Sequence, residues 1–186
     1  MEKQPLLLAS ASPRRREILE NAGILFEVVP STAGEVAENS LSTEETVTEN
    51  ARRKALEVSR RFPGRLVLGA DTLVEYGGVK LGKPRDRERA REMLRTLSGN
   101  THRVLTGVCI TDGARTETAL SVSYVTFRKL SDELIDAYVA SGECDDKAGA
   151  YGIQGKGCIL VEQIQGDYFS IVGLPICTVW KMLERF

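Results

Sequence analysis

The chain has 186 residues, of which 42% are hydrophobic and 27% charged, and its formal net charge is −1. This length suits one large domain with a sizeable core, and the near-neutral charge excludes general binding to nucleic acid or to a membrane surface. The four cysteines lie far apart and His102 is the sole histidine, which excludes a zinc site and a disulfide scaffold. We expect buried reduced thiols, no membrane-spanning segment and a cytoplasmic protein.

Strand-like and helix-like segments alternate along the chain. Short apolar runs predict the strands, and apolar residues at helical spacing between a capping residue and a glycine predict the helices. In order, the predicted elements are a strand over 4–9, a helix over 12–22, a strand over 24–29, a helix over 42–62, a long strand over 65–76, a hairpin turn at 77–78, a helix over 86–98, strands over 104–111 and 120–130, a helix over 132–140, a hairpin of 158–164 with 168–172, and a helix from 175. Hairpins mixed with crossovers predict an α/β fold, with a mixed twisted sheet and flanking helices.

Positive charge is concentrated at the turn between the first strand and the first helix. Arg14, Arg15 and Arg16 follow Ser12, although a helix N-terminus is already the positive end of the helix dipole. Backbone N–H groups and the hydroxyls of Ser10 and Ser12 favour a bound phosphate there, with the arginines as a clamp. The alternative is an ordinary N-cap followed by solvated arginines.

Two charged residues stand in apolar surroundings. Lys54 lies beside the core-facing stripe of its helix, where it either extends to solvent or reaches into a cleft. Asp71 interrupts the apolar run 66–74, and a carboxylate there is costly unless it is paired or holds a metal. Asp71 is therefore either a structural buried aspartate or a functional one. Glu35, in a polar loop, is a second candidate carboxylate for a cation.

Two further stretches bear on ligand binding. Lys83, in a Gly-Lys-Pro turn, is either a phosphate ligand or part of an ordinary surface turn. The glycine-rich stretch 146–155 permits close backbone approach to a ligand, and the Gln154 amide can read a base edge; the alternative is a flexible surface loop. Tyr151 and Ile153 are bulky enough to close a base pocket to purines. Together, these cations and carboxylates predict a phosphate-ester site that needs a divalent metal.

Six motifs occur in order along the chain, namely LASASPRRREIL, GADTLV, LGKPRD, LSGNTHRVLTGV, DKAGAYGIQG and VGLP. In this order they resemble the Maf family of nucleoside triphosphate pyrophosphatases, the septum-formation-inhibitor family. DKAGAYGIQG resembles the branch that hydrolyses dTTP and UTP, whereas a second branch acts on 7-methyl-GTP. The resemblance implies one domain over 1–186, elongated and two-lobed with a central cleft, similar to the inosine triphosphatase (Maf/Ham1-like) fold.

The resemblance also implies a role for each candidate residue. Asp71 corresponds to the catalytic proton acceptor. The substrate-selecting positions correspond to Arg14, Thr72 and Gln154. The phosphate and metal cluster corresponds to Ser10, Arg15, Glu35, Lys54 and Lys83, with Glu35 and Asp71 as the metal ligands. The motif DKAG is preceded here by Glu143-Cys144 where the family usually has a Glu-Pro pair, and loss of the proline implies a looser loop.

The implied reaction converts dTTP, UTP or modified pyrimidine nucleotides to the nucleoside monophosphate and pyrophosphate. A divalent cation (Mg²⁺, Mn²⁺ or Co²⁺) is implied as cofactor, and a nucleotide as the small-molecule partner. The implied protein is a monomer or homodimer without nucleic-acid or membrane partners. The alternatives are hydrolysis of 7-methyl-GTP, or a regulator of septum formation that binds nucleotides without turnover.

Overall fold

The structure is a computed structural model that describes residues 4–36 and 41–186. The strands within these ranges are β1 (Leu6–Leu8), β2 (Phe26–Val28), β3 (Val67–Tyr76), β4 (Val79–Leu81), β5 (Thr101–Thr111), β6 (Thr116–Phe127) and β7 (Val161–Gln165). The α-helices are α1 (Pro13–Asn21), α2 (Thr43–Arg61), α3 (Arg87–Leu97), α4 (Asp132–Ala140), α5 (Tyr168–Val172) and α6 (Ile176–Leu183). Two short 3₁₀ helices cover Ala148–Ala150 and Gly155–Leu160.

The strands pair in a mixed sheet with the order β2-β1-β3-β5-β6-β7, and β4 pairs with β3. β1 is parallel to β2 and to β3, and Leu7 lies opposite Val67. β4 is antiparallel to β3, and β7 is antiparallel to β6 with Tyr124 opposite Gln165. Parallel and antiparallel pairs in one sheet, with helices between strands along the chain, confirm the predicted α/β class.

Two compact units make up the chain, and each has its own core. The first unit comprises Met1–Asp71, Thr106–Ser121 and Gly173–Phe186, and the second comprises Thr72–Leu105 and Val122–Val172. In the first unit, the apolar face of α2 packs on β1, β3 and β5 through Leu7, Ala9, Ala51, Ala55, Val58, Val67 and Cys109. The second core gathers around Phe127 and includes Leu94, Leu97, Ile135 and Leu160. A single domain with a central cleft stays a prediction.

Local sequence signals set several element boundaries as predicted. Ser42 Oγ accepts a hydrogen bond from Glu45 N, while the Glu45 carboxylate accepts one from Ser42 N at 2.8 Å, so the capping box at the start of α2 is complete. Asp86 caps α3 by accepting a hydrogen bond from Arg89 N at 2.7 Å. In the hairpin turn between β3 and β4, Gly77 and Gly78 both have positive φ, which glycine adopts without strain.

The predicted last hairpin is wrong, because residues 168–172 form α5 and residues 158–160 belong to a 3₁₀ helix. Apolar and aromatic residues in 168–172 suit a strand, but Asp167 starts a helix there. Its carboxylate accepts a hydrogen bond from Phe169 N at 2.9 Å, and its carbonyl accepts one from Ile171 N at 3.3 Å. Side chain and backbone of one aspartate therefore satisfy the first N–H groups of the helix.

The cysteines depart in part from the prediction of buried thiols. All four are free, as predicted, and Cys109 and Cys144 are buried, but Cys158 and Cys177 are exposed. Across residues 4–36 and 41–186, no helix combines the length and the apolar character needed to cross a membrane.

Candidate functional site

Two glycines bring α2 very close to the sheet of the first unit. A Cβ atom on Gly69 in β3 would lie 2.3 Å from the Ala51 carbonyl oxygen, and one on Gly107 in β5 would lie 2.5 Å from that of Val47. Any side chain at these positions would push the helix backbone away from the strands. Asp71 follows Gly69 by two residues, so this close approach places the strand carboxylate within reach of polar side chains on α2.

Glu35, Lys54 and Asp71 meet at the Lys54 ammonium, and with Asn50 we call them the acid–lysine cluster. Lys54 Nζ lies 2.6 Å from Asp71 Oδ1 and 2.9 Å from Glu35 Oε1. The side chains of Lys54 and Asp71 are only 17% and 10% exposed, whereas that of Glu35 is 66% exposed. Lys54 therefore does not extend to solvent, and Asp71 has the charged partner that a poorly solvated carboxylate requires.

Asn50 is a member of this cluster that the sequence analysis missed. Its amide nitrogen donates a hydrogen bond to Asp71 Oδ2 at 3.0 Å, and its amide oxygen accepts one from Val36 N at 2.9 Å. Asn50 and Lys54 are one helical turn apart, so they present their polar groups on the same face of α2. The signal in the sequence is the helical spacing, which places an asparagine within the apolar stripe that also contains Val47 and Ala51.

From residues 4–36 and 41–186, each Asp71 oxygen thus receives one hydrogen bond, Oδ1 from Lys54 and Oδ2 from Asn50. Because a carboxylate oxygen has two lone pairs, each oxygen can still accept a proton or a second hydrogen bond. The donors on both sides fix the plane of the carboxylate. This arrangement can orient and activate a water molecule.

The turn that leads into α1, residues 10–15, folds back on itself and is called the arginine turn here. Arg15 Nη1 donates a hydrogen bond to Ser10 Oγ at 2.9 Å, and Arg15 Nε donates one to the Gly173 carbonyl at 2.9 Å. Ser12 takes the N-cap position, and in the described structure its side chain makes no capping hydrogen bond. The positive first turn of α1 is therefore the kind of helix terminus that binds anions.

The two groups of charges lie within electrostatic reach of each other in the first unit. Burial lowers the pKa of the Arg15 guanidinium, the negative charges of Asp71 and Glu35 oppose that shift, and Arg14 adds to it. Arg14 is half-buried at the start of α1. Among the residues that the structure describes, the three cations Arg14, Arg15 and Lys54 exceed the two carboxylates, which favours a polyanionic ligand such as a triphosphate.

The predicted metal ligands Glu35 and Asp71 contact the same ammonium group. In the part of the chain that the structure describes, no group of three or more histidine, cysteine, aspartate or glutamate side chains is arranged to hold a metal ion. Two carboxylates beside a phosphate ligand are nevertheless a donor set that a hard divalent cation uses.

Thr72, Lys83 and Gln154 belong to the second unit. Thr72 follows Asp71 in β3 and is half-buried, Lys83 is exposed in the turn after β4, and Gln154 is partly buried just before the second 3₁₀ helix. The Gly82 carbonyl accepts a hydrogen bond from Gly149 N at 3.1 Å, which joins the Lys83 turn to the glycine-rich stretch. Among the described residues, no side-chain hydrogen bond or ion pair connects Lys83 with Gln154.

Residues 146–157, called the Gln154 loop here, are packed rather than free. Tyr151 is buried, its hydroxyl lies 2.8 Å from His102 Nε2, and its ring meets Phe127 edge-on with centroids 4.7 Å apart. Ile153, which is partly buried, also packs against this core, and the exclusion of purines by these two side chains stays a prediction. Cys144, at the position of the missing proline, is buried in the same core.

A family model and several relatives match nearly the whole chain. Residues 5–186 match the family described as "Maf-like protein". A "dTTP/UTP pyrophosphatase" of Bacillus pumilus is 48% identical, with 97% of this chain and 96% of that protein covered. One of Pyrococcus horikoshii with the same name is 50% identical, over 96% of this chain and 95% of that protein. The solved structure of the Staphylococcus aureus Ham1 protein aligns with 85% of this chain and 80% of its own at 13% identity and a TM-score of 0.48.

The family match spans all six motifs, from the arginine turn to the segment before α6. The two relatives, which are 48% and 50% identical to this chain, align with 97% and 96% of it. The resemblance drawn from the ordered motifs is confirmed, and this chain belongs to the Maf family.

Proposed function

We propose that the protein hydrolyses dTTP and UTP between the α- and β-phosphates and releases the nucleoside monophosphate and pyrophosphate. The observation that carries this proposal is the acid–lysine cluster, in which a poorly solvated Asp71 carboxylate is held by Lys54 and Asn50 within electrostatic reach of the arginine turn. Its relatives in Bacillus pumilus and Pyrococcus horikoshii are named for this activity. Canonical or modified pyrimidine nucleotides of the cytoplasmic pool are its substrates.

Asp71 is the general base of the proposed reaction. Its oxygens keep free lone pairs while Lys54 and Asn50 fix its orientation, so it can take a proton from the water that attacks the α-phosphorus. Ser10, Arg14, Arg15 and Lys54 surround the triphosphate and stabilise the charge that develops on pyrophosphate as it leaves. Binding without turnover would not need a carboxylate so close to a polyanion.

A divalent cation (Mg²⁺, Mn²⁺ or Co²⁺) is part of this proposal, and Glu35 and Asp71 would hold it. Their oxygens already enclose one positive charge, the Lys54 ammonium, so the donor set suits a hard cation that completes its coordination with phosphate and water. When bound, such a cation would neutralise phosphate charge. Removal of divalent metal with EDTA should abolish turnover, and excess Mg²⁺ should restore it.

Base selection is assigned to the second unit. Gln154 offers one donor and one acceptor to the N3–H and O4 edge of thymine or uracil, while Thr72 helps to select substrate and Lys83 contacts phosphate. These roles rest on the family motifs and on the packing of the Gln154 loop, which limits how far Gln154 can move.

Product analysis tests the proposed reaction. The protein is incubated with dTTP and Mg²⁺, and the products are separated by ion-exchange chromatography; dTMP and pyrophosphate are expected in equal amounts. Primary formation of dTDP and orthophosphate would contradict the site of cleavage. A stronger rate on 7-methyl-GTP, or binding of dTTP without products, would replace the proposal by one of its two alternatives.

A further inference from the structure

The carboxylate of Glu143 collects three hydrogen bonds beneath the Gln154 loop. Its Oε2 accepts one from Lys156 N at 2.9 Å, and its Oε1 accepts one from Gly157 N at 3.0 Å and another from the Tyr138 hydroxyl at 3.1 Å. Two of the donors are backbone amides that directly follow Gly155. The position of the carboxylate therefore sets the path of the backbone just after Gln154.

The other side of Gln154 is tied to the same group through Tyr138. The Tyr138 hydroxyl accepts a hydrogen bond from Gly152 N at 3.0 Å while it donates its own proton to Glu143. Glu143 thus holds the backbone of Gly152, two residues before Gln154, through Tyr138. It holds the backbone of Lys156 and Gly157, two and three residues after Gln154, directly.

Two glycines in this loop have no room for a side chain. A Cβ atom on Gly155 would lie 2.7 Å from Glu143 Oε2, and one on Gly157 would lie 2.0 Å from the Gly152 carbonyl oxygen. The loop therefore closes tightly over the carboxylate, and Gly155 has a positive φ of 66°. Gly155 and the Glu143 carboxylate are therefore in close contact.

The backbone of Glu143 is held by a hydrogen bond as well. Lys147 Nζ donates a hydrogen bond to the Glu143 carbonyl at 2.6 Å, so the side chain of one loop residue returns to the backbone of the anchoring residue. Burial alone raises the pKa of Glu143, but the hydrogen bonds from Lys156 N, Gly157 N and Tyr138 outweigh it and hold this pKa below the ordinary value. The side chain is therefore a carboxylate at neutral pH.

We infer that Glu143 is a positioning residue for base selection, which holds the backbone on both sides of Gln154 so that its amide meets the pyrimidine edge in one orientation. This inference rests on the proposed function, because it takes Gln154 as the residue that reads the base. Glu143 itself does not touch the base. A backbone held in place before binding reduces the entropy lost on binding, and a Gln154 side chain that starts from one fixed position discriminates thymine from cytosine, whose donor and acceptor are reversed.

The test compares Glu143→Ala and Glu143→Gln with Glu162→Gln, a control at an exposed position on β7. Steady-state kinetics on dTTP and dCTP should show that Glu143→Ala raises KM for dTTP by roughly 10–100-fold while kcat changes little, because the chemistry lies with other residues. The preference for dTTP over dCTP should narrow by a similar factor. Glu143→Gln keeps one acceptor oxygen and should fall between the parent and the alanine variant.

Amide hydrogen exchange gives a second readout that does not depend on turnover. In Glu143→Ala, the amides of Gly152, Lys156 and Gly157 should exchange faster than in the parent, with melting temperature measured alongside to confirm folding. An unchanged dTTP to dCTP ratio in a folded Glu143→Ala variant would overturn the inference, as would unchanged exchange at these amides. Failure of the proposed function is separate, because it shows in the parent protein as the absence of dTMP.

Discussion

Side-chain charges hold the acid–lysine cluster together, whereas backbone amides and buried aromatic rings hold the Gln154 loop. In the cluster, Lys54 joins two carboxylates whose exposures differ greatly, so a ligand can compete for their charges. In the loop, one carboxylate binds successive N–H groups, and Tyr151 is locked into the core by His102. The two regions therefore suit different tasks, since exchangeable charges serve a reaction and a fixed backbone serves recognition.

Replacement of Asp71 should give the largest effect if the cluster performs the chemistry. Asp71→Asn keeps the shape of the side chain but removes the base, so kcat for dTTP should fall by roughly 10²–10⁴-fold. The variant should stay folded, at a lower melting temperature because Lys54 loses a charged partner. Rates from single-turnover assays and melting temperatures provide the measurement. Asp136→Asn, which breaks an exposed ion pair with Arg91, serves as the control and should be near normal. A near-normal rate for Asp71→Asn would make Asp71 a structural residue.

The second-largest effect is expected in stability. It tests whether water is excluded from the aromatic residues that pack against the Gln154 loop. Burial lowers the pKa of His102 from 6.5 to about 4. Between these values the unfolded chain takes up a proton that the folded protein does not, so the free energy of unfolding falls as pH decreases, by up to about 3 kcal/mol. Urea unfolding at pH values from 7 to 4 should show that the free energy of unfolding decreases less in His102→Gln than in the parent, because the variant lacks the contribution of the imidazole.

His102 is the sole histidine, so no other imidazole contributes to the measurement. A stability difference between the parent and His102→Gln that stays constant over this pH range would show that the imidazole is solvated in the folded protein.

Removal of the Gln154 amide should affect selectivity more than rate. In the parent, kcat/KM for dTTP and UTP should exceed that for GTP by roughly 10²-fold, because a site that hydrogen-bonds a base edge rejects bases that leave its polar groups unpaired. Gln154→Ala should lose most of this preference, whereas Gln163→Ala, on the exposed side of β7, should keep it. A Gln154→Ala variant with the full preference would place base reading elsewhere.

Two lysines, Lys54 of the acid–lysine cluster and Lys83 in the turn after β4, should show a smaller effect. Because both lysines are proposed to contact phosphate, Lys54→Ala and Lys83→Ala should each lower kcat/KM by an amount that corresponds to roughly 1–3 kcal/mol of lost transition-state stabilisation. Lys181→Ala, on the exposed part of α6, serves as the control. Lys54→Ala should also lower stability, because it leaves Asp71 without its charged partner. If Lys83→Ala matches the control, Lys83 belongs to an ordinary surface turn.

The smallest effect is expected at Asn50, which orients Asp71 without carrying charge. Asn50→Ala leaves Asp71 Oδ2 and Val36 N without a partner and should cost roughly 1–2 kcal/mol in unfolding free energy, with a modest fall in kcat. A double-mutant cycle with Asp71→Asn isolates the coupling between the two side chains. Additive effects on kcat would mean that Asn50 stabilises the helix–strand contact only.

Features that depend on residues close together in the chain could be predicted from the amino-acid sequence. The capping box of Ser42 and Glu45, the cap at Asp86 and the glycine turn at 77–78 all lie where short-range patterns predicted them. The ordered motifs likewise identified the family, because together they span the chain. The sequence also marked Asp71 as exceptional, since a carboxylate in an apolar run must be compensated.

Which polar groups pair with one another depends instead on contacts between segments that are distant in the chain. Asn50 and Asp71 are 21 residues apart and Glu143 is 14 residues from Gly157, and no local pattern pairs side chains or amides over such separations. The close approach of α2 to Gly69 and the burial of Tyr151 against His102 are likewise set by packing between distant segments. Asp167 turned an apparent strand into α5 because its hydrogen bonds satisfied a helix terminus. The sequence supplied the functional groups, and the fold fixed their partners because desolvated polar atoms must be paired wherever the chain brings them.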